Sequence, residues 1–331
     1  METFHKQVVL VTGCSSGGIG NALSRAFAAK NCLVVATARS VSSMADLSDN
    51  PDLYFLQELD VLSDQSVREV VSNVIHKFGR IDVIVNNAGV QCIGPLAEVP
   101  FSSIENTFNT NVYVKPLGVR VATSLHSNPE VAGSSLARSQ CPYGSGFPPR
   151  LRLAGWWSAR WDHLGGSMRL IQAVVPHMVS RKKGKIVNIG SVTALAPGPW
   201  SGVYAASKAA LHALTDTLRV ELKPFGIDVI NIVPGSVKTN LGNTAVASYN
   251  KMPEWKMYKK YEGAIKERAY FSQGSKAISP DEFANKTVAA ILKEDPPSWF
   301  SLGQFSTIAA IMYHMPIFVK DFLYKMAMMK C

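Results

Sequence analysis

A tyrosine and a lysine lie four residues apart in the stretch VYAASKAAL, at Tyr204 and Lys208. Positions i and i+4 share one face of an α-helix, so the two side chains can reach a common site. The phenol of a free tyrosine has a pKa near 10, and a neighbouring ammonium lowers that pKa by stabilising phenolate. The pair therefore suits proton transfer, although the same spacing also arises by chance on surface helices. Ser191, thirteen residues earlier at the end of a predicted strand, can hold a substrate oxygen as charge develops on it.

A glycine-rich turn follows the first predicted strand, in TGCSSGGIGNALSRAF. Glycines between a strand and a helix let a pyrophosphate approach the backbone, and the helix N-terminus supplies N–H groups that lack a helical partner. An ordinary tight turn between a strand and a helix can have the same sequence pattern. The position of this turn directly after the first buried strand favours nucleotide binding. The candidate residues of this turn are Gly13, Ser15, Ser16, Gly18, Ile19 and Gly20.

The ends of the next three predicted strands carry further candidates. Arg39 stands where an NAD site usually has a carboxylate, and an arginine there favours the 2′-phosphate of NADPH, although an exposed arginine at a strand end is also ordinary. Asp60 ends the third strand and can accept a hydrogen bond from an adenine amino group. Asn87, Ala88 and Gly89 follow the fourth strand and allow close approach of a cofactor, although NNAG taken alone favours a simple turn.

The elements that must position these residues follow from alternating apolar runs and helical patterns. Such alternation predicts an α/β fold, a three-layer Rossmann-type doubly wound parallel sheet of about seven strands. Helices are expected over 168–183, 201–224 and 279–294, among others. The strand-like runs, rich in β-branched residues, are QVVLVTG, CLVVATAR, LYFLQELDV, IDVIVNNAG, KIVNIGS, GIDVINIVPG and WFSLG.

Composition narrows the classes of function. The formal net charge is +10, but lysines and arginines are dispersed and form no long basic run, which argues against nucleic acid as a partner. Five cysteines without a regular pattern indicate a reducing compartment rather than a disulfide framework, and no metal site is predicted.

The motifs together resemble the short-chain dehydrogenase/reductase family. TGCSSGGIG, NNAG, the Asn of NTNV, IGSV, YAASK and IVPGSVKT occur in the order and spacing of that family, over nearly the whole chain except one internal block. Within the family the chain looks most like the NADPH-dependent acyl-dihydroxyacetone-phosphate reductases, and it also resembles hydroxysteroid dehydrogenases. The glycine turn departs from the family pattern because it holds one more residue, Gly17 or Gly18.

This resemblance implies a reaction in which hydride passes from NADPH to a carbonyl carbon while Tyr204 donates the proton. It implies that Lys208 also binds the nicotinamide ribose and that Asn111 completes a proton relay through water to Lys208. The residues implied to border the nicotinamide are Pro234, Gly235, Val237 (near the carboxamide) and Thr239. The expected activity is reduction of a lipid ketone, most like acyl-dihydroxyacetone phosphate to lysophosphatidate, with hydroxysteroid or retinoid dehydrogenase as the alternative.

Two later segments bear on the substrate and on location. The stretch LGNTAVASYNKMPEWKMYKKYEGAIKERAYF mixes aromatic residues with lysines, which suits either an acyl chain and a phosphate or an amphipathic helix with a solvated lysine face. Residues 304–331 are apolar, but the run over 307–319 is shorter than the roughly twenty residues that span a bilayer. Peripheral contact with a membrane is expected, at the cytosolic face of the endoplasmic reticulum or at a lipid droplet. Otherwise the protein is cytoplasmic and the segment packs over the active site or at a homodimer interface.

Residues 114–165 interrupt an otherwise single reductase domain over 1–303. The block lacks sustained periodicity and is predicted to be irregular or disordered, and joining NVY directly to GSMRLIQ restores one continuous helical pattern. Long structureless loops are uncommon inside compact domains, which favours a translated intron or mispredicted exon over a functional lid or binding arm. We expect the block to lower stability and to disturb Asn111, so that a catalytically impaired nucleotide-binding form is the second alternative function.

Overall fold

The computed structural model describes residues 6–112, 166–270, 274 and 277–328. The chain divides into two units, one formed by Met1–Lys115 with Leu164–Cys331 and the other by Pro116–His163. The second unit, and with it the predicted irregular insertion over 114–165, lies outside the described residues, which all belong to the first unit.

A parallel sheet organises this unit, in the spatial order β3-β2-β1-β4-β5-β6-β7. Each of the seven predicted apolar runs contributes one strand, so the predicted fold class is confirmed. The strands are β1 (Val8–Thr12), β2 (Leu33–Ala38), β3 (Tyr54–Glu58), β4 (Val83–Asn86), β5 (Gly184–Ile189), β6 (Ile227–Pro234) and β7 (Trp299–Leu302).

Helices connect the strands and cover the sheet. The helices of the described part are α1 (Ile19–Ala29), α2 (Asp64–Phe78), α3 (Phe101–Asn111), α4 (Gly166–Val179), α5 (Gly202–Leu222), α6 (Leu241–Tyr249), α7 (Glu262–Tyr270), α8 (Pro280–Ile291), α9 (Ser306–His314) and α10 (Ile317–Met328). Two apolar clusters show how the layers divide: α1 and α8 contribute to one, and α2 and α4 contribute to the other.

Strand β1 shows why its sequence is continuously apolar. Val9 and Val11 belong to the cluster that contains α1 and α8, whereas Leu10 between them belongs to the opposite cluster. Successive side chains of a strand point to opposite faces, so a strand covered on both faces needs apolar residues at every position.

The strand order reverses between the neighbouring strands β1 and β4. Strands β2 and β3 follow on the β1 side, and β5, β6 and β7 follow on the β4 side. In open sheets of this kind a crevice forms outside the carboxyl ends of the strands at such a switch point. The turns that carry the candidate residues, after Thr12 and after Asn86, open onto this crevice.

The basic residues Arg181–Lys183 lie between α4 and β5, and the helix predicted over 168–183 ends before them. Helix α4 ends at Val179, and Lys182 takes a left-handed conformation with φ of 50°, which a helix does not allow. Arg181 instead pairs with the buried carboxylate of Asp82 at 3.0 Å, and Lys185 Nζ donates to the Lys293 carbonyl oxygen.

Candidate active site

A cavity of about 400 Å³ occupies the crevice at the carboxyl ends of the strands. It collects Ser191, Tyr204 and Lys208 together with nearly all of the predicted cofactor residues. Those that line it are Gly13, Ser15, Ser16, Gly18, Ile19, Arg39, Asp60, Asn87, Ala88, Gly89, Pro234, Gly235, Val237 and Thr239. The cavity therefore joins, in one space, groups suited to nucleotide binding and groups suited to proton transfer.

Three side chains form the proposed proton-transfer group. Tyr204 and Lys208 lie one turn apart on α5, and Lys208 Nζ is 5.8 Å from the centroid of the Tyr204 ring. The Ser191 side chain, directly after β5, lies beside that of Tyr204 and accepts from Thr193 Oγ1 at 2.8 Å. Lys208 Nζ donates to the Ile189 carbonyl oxygen at 2.7 Å, which holds the ammonium beside the end of the strand.

Burial controls the acidity of this group. It raises the pKa of Tyr204, and the Ser191 side chain and the positive charge of Arg268 offset only part of that rise. Burial also lowers the pKa of Lys208 to about 8. The four-residue spacing predicts that Lys208 lowers the pKa of the phenol, but the groups that lower it in the structure are Ser191 and Arg268, and desolvation outweighs both.

His212 supports Ser191 and was missed by sequence reasoning. One turn after Lys208 on α5, it accepts a hydrogen bond at Nε2 from the Ser191 backbone N–H at 3.2 Å, and its ring meets Trp299 edge to face. Burial, and then the Lys208 charge, lower the pKa of His212 to about 4. The ring is therefore neutral at neutral pH, as an acceptor at Nε2 must be. The i, i+4 relation to Lys208 is the signal that could have pointed to it.

Asn111 lies behind the cavity wall rather than in it. Its side chain is completely buried, with Oδ1 accepting from Val90 N at 2.8 Å and Nδ2 donating to Ser207 Oγ at 2.9 Å. Contacts to the loop after β4 and to α5 hold the amide, and the disturbance expected from the block that follows stays a prediction. A Cβ at Gly89 would be 3.1 Å from Asn111 Oδ1 and 3.6 Å from Lys208 Nζ, so both groups approach the same stretch of backbone. The water relay stays a prediction.

Gly17 is the extra residue of the glycine turn. This residue has φ of +74°, and its carbonyl oxygen accepts from Asn240 N at 3.1 Å. Gly18 is the N-cap of α1, and Gly20 packs so closely that a Cβ there would be 2.5 Å from the Gly13 carbonyl oxygen. Gly18 and Gly20 therefore fill the places of the later glycines in the family pattern, and Gly20 acts behind the cavity lining. Asn240, far away in sequence, was not predicted.

The residues of the crevice fit a dinucleotide phosphate. No side chain caps the N-terminus of α1, which opens onto the cavity at Gly18 and suits a pyrophosphate. Arg39 is exposed at the end of β2, where its guanidinium can reach a 2′-phosphate. Asp60 lines the neighbouring wall, and its Oδ1 accepts from Leu62 N at 2.9 Å.

Asn87 has a structural role in addition to lining the cavity. Its Nδ2 donates to the Thr12 carbonyl oxygen at 2.8 Å, and Thr12 Oγ1 accepts from the N–H groups of Asn87 and Ala88 at 3.0 Å each. These contacts fasten the end of β4 to the end of β1. Ala88 and Gly89 follow with little side chain, so the backbone itself forms the cavity wall.

The four lysines after β6 are solvated, as the alternative interpretation predicts, but they lie between α6 and α7 rather than on one face of an α-helix. Lys251, Lys256, Lys259 and Lys260 are all exposed, and none of these four described side chains lines the cavity. Trp255 is instead buried in an apolar cluster, where its Nε1 donates to Tyr249 Oη at 3.2 Å. Of the basic residues in this stretch, Arg268 of α7 lines the cavity, and it lies close enough to Tyr204 for each charge to shift the pKa of the other. Sequence reasoning did not single out Arg268.

Comparison with known proteins agrees with this geometry. The family model described as short chain dehydrogenase matches residues 7–123 and 163–250, so residues between these ranges have no counterpart in it. The short-chain dehydrogenase RED1 of Pyricularia oryzae is 28% identical, over 90% of this chain and 86% of the relative. The NADPH-dependent 1-acyldihydroxyacetone phosphate reductase of Schizosaccharomyces pombe is 31% identical, over 85% of this chain and 76% of the relative.

A solved structure shows the same fold. The crystal structure of a short-chain dehydrogenase from Streptomyces avermitilis superposes with a TM-score of 0.66 and 26% identity, covering 92% of each chain. The family match over more than half of the chain, the parallel sheet and the Ser191–Tyr204–Lys208 arrangement lead to one conclusion: the chain belongs to the short-chain dehydrogenase family.

Proposed function

We propose that this protein catalyses the NADPH-dependent reduction of a lipid ketone, with acyl-dihydroxyacetone phosphate as substrate and lysophosphatidate as product. The observation that carries the proposal is one cavity with Arg39 at the nucleotide end and the buried Ser191–Tyr204–Lys208 group at the other. The relative from Schizosaccharomyces pombe supports the choice of this ketone, and Arg268 supports it because the substrate carries a phosphate.

The residues divide the work of the reduction as follows. When bound, NADPH supplies the hydride that reduces the carbonyl carbon. Ser191 orients the carbonyl oxygen beside Tyr204, and Tyr204 Oη donates the proton to that oxygen as negative charge develops. The Lys208 ammonium, held by the Ile189 carbonyl oxygen, stabilises the resulting phenolate. Because all three groups are buried, these charge interactions are stronger than they would be in solvent.

A substrate panel tests the proposal directly. Purified protein would be assayed for NADPH oxidation with acyl-dihydroxyacetone phosphate, a steroid ketone and a retinaldehyde, the last two representing the alternative substrate classes. We expect the first to react best, and Tyr204→Phe to lower kcat by about 100-fold or more because the proton donor is lost. Tyr270→Phe, on the exposed end of α7, is the matched control.

Two results would contradict the proposal. Full activity of Tyr204→Phe would show that another group donates the proton. Retained NADPH binding without oxidation in the presence of any ketone would instead favour a non-catalytic nucleotide-binding role.

We further propose that α9 and α10 attach the protein peripherally to the cytosolic face of the endoplasmic reticulum or to a lipid droplet. Large apolar side chains are exposed along these helices, among them Ile317 and Phe318 at 71% and Phe322 at 63%. Among the described residues, no helix combines the length and apolar character that crossing a bilayer requires. Such a surface suits insertion of an apolar face into the boundary of a lipid layer.

Cosedimentation with phospholipid vesicles tests this attachment. We expect the double variant Phe318→Glu and Phe322→Glu to lose vesicle binding, and Phe101→Glu, equally exposed on α3, to retain it. If vesicles fail to bind the unaltered protein, and the double variant converts a dimer into a monomer on gel filtration, the apolar face is a homodimer interface instead.

A further inference from the structure

A second cavity, of about 460 Å³, lies between α7, the C-terminal helices and the loop after β5. Its size falls in the range of small-molecule sites, and its walls are mainly apolar and aromatic. Of the described side chains that line it, the charged ones are Glu267 and Arg268. The large side chains that shape it are Trp200, Tyr261, Phe305, Ile308, Met312 and Tyr324. We call this space the chain cavity.

The chain cavity shares a wall with the catalytic cavity. Val192, Thr193 and Arg268 line both spaces, and Val192 and Thr193 follow Ser191 directly in sequence. Thr193 Oγ1 donates to Ser191 Oγ at 2.8 Å, so the shared wall contacts the group that orients the carbonyl. The two cavities are therefore neighbours at the residues that follow the proposed carbonyl site.

Arg268 stands at the junction of the two spaces. Its side chain is only partly exposed, burial lowers its pKa, and the Tyr204 phenol acts in the opposite direction. A guanidinium in this position offers planar, paired donors to a phosphate or carboxylate next to the reacting carbonyl. In acyl-dihydroxyacetone phosphate the phosphate arm and the acyl arm both begin one carbon away from the ketone.

Tyr324 adds a polar atom to the apolar walls. Its hydroxyl is buried and has no hydrogen-bond partner among the described residues, although the residue lines the chain cavity. A buried hydroxyl without a partner in the protein is uncommon and suggests a ligand atom or an ordered water. An ester oxygen between head group and chain would satisfy it.

We propose that the chain cavity binds the acyl chain of the substrate and that Arg268, at its junction with the catalytic cavity, binds the anionic group beside the ketone. This inference rests on the proposed lipid-ketone reductase activity and specifies which residues select the substrate. It makes chain length and charge separate determinants of specificity, located on different residues.

Filling the chain cavity tests the first part. Ala309→Phe on α9 and Ala264→Phe on α7 each place a ring into the cavity from a different wall, and Ala310→Phe, on the exposed face of α9, is the matched control. The readout is the ratio of kcat/KM for palmitoyl- over acetyl-dihydroxyacetone phosphate. We expect this ratio to fall by about 10-fold or more in the filled variants and to stay as in the unaltered protein in the control. Equal ratios in all four proteins would overturn the chain site.

Removing the cation tests the second part. Arg268→Gln should lower kcat/KM for palmitoyl-dihydroxyacetone phosphate by about 100-fold. The loss should be much smaller for the same ketone without its phosphate. Lys266→Gln, an exposed cation on the same helix, should change neither value. Equal losses on both ketones would mean that Arg268 acts only through Tyr204, and the anion-binding role would be wrong.

A binding measurement separates this inference from the proposed function. Hexadecyl phosphate and butyl phosphate would be titrated calorimetrically into the unaltered protein, Ala309→Phe and Ala264→Phe, without any turnover. Tighter binding of the long chain that is lost in both variants supports the chain cavity even if acyl-dihydroxyacetone phosphate proves not to be reduced. Chain-independent binding in an enzyme that does reduce this ketone refutes the cavity and leaves the function standing.

Discussion

At the scale of residues, charge and burial act against each other in the active site. Tyr204 is nearly inaccessible, and the same desolvation that raises its pKa also lowers that of Lys208 to about 8. Helical spacing alone brings the phenol and the ammonium together, but it says nothing of how much solvent reaches them. The groups that lower the pKa of the phenol, Ser191 and Arg268, belong to other elements of the fold.

The Arg39 side chain should decide between the two nicotinamide dinucleotides. Arg39→Ser removes the cation at the end of β2, and a charge-assisted hydrogen bond to phosphate is worth about 1.5–3 kcal/mol. We therefore expect kcat/KM for NADPH to fall by about 10- to 100-fold relative to that for NADH. Steady-state kinetics with both cofactors measures this ratio.

The control for this change is Lys30→Ser, an exposed cation that does not line the cavity. If Arg39→Ser lowered kcat/KM equally for NADH and NADPH, the guanidinium would not bind a 2′-phosphate.

At the scale of elements, α3 and α4 meet end to end. Ser167 Oγ donates to the Asn111 carbonyl oxygen at 3.2 Å, and a Cβ at Gly166 would be 2.7 Å from the Thr110 carbonyl oxygen. Val112, after the last residue of α3, leaves helical geometry with φ of −146°. The chain thus departs from α3 and returns to α4 at nearly the same point, as expected for one helical pattern with an intervening block.

Deletion of residues 114–165 should therefore raise stability. Closing a connection of about 50 residues costs on the order of 3 kcal/mol in chain entropy when the connection makes no compensating contacts. We expect the deleted protein to melt at a higher temperature and to keep or increase its NADPH turnover, because α3 and α4 can then join beside Asn111. Differential scanning calorimetry and the reductase assay check both.

Replacing 114–165 by a glycine–serine segment of equal length is the control for chain length alone. If the deleted protein matches the original in melting temperature and in activity, the block does not disrupt the fold.

At the scale of the whole molecule, the buried ring of His212 couples stability to pH. Its pKa lies at about 4 in the folded protein against an ordinary value of 6.5, so between these values the unfolded chain binds a proton that the folded protein does not. Stability must then fall as pH is lowered through this window. From pH 7 to pH 5 we expect His212 alone to remove about 2 kcal/mol of the free energy of unfolding.

Urea unfolding at the two pH values measures this loss, and His212→Asn should make the loss smaller by a similar amount. Replacing His76, an exposed histidine on α2, by Gln should not change the loss of stability between the two pH values. An unchanged pH dependence in His212→Asn would show that the ring is not held neutral.

The sequence by itself determined what depends on local order along the chain. The β-branched runs predict every strand of the sheet, because a strand covered on both faces needs apolar residues throughout. The four-residue spacing of Tyr204 and Lys208, and the glycine turn after the first strand, place chemistry on one helix and one loop. These features can be recognised without knowing which other elements pack against them.

Only the tertiary structure decided which distant side chains complete the site. His212 reaches the Ser191 backbone, Asn240 binds the turn at Gly17, and Arg268 borders both cavities. The lysines after β6, which looked suited to a phosphate, face solvent. These outcomes depend on how helices far apart in sequence pack at the carboxyl edge of the sheet, where burial and distance, rather than residue type, set what each group can do.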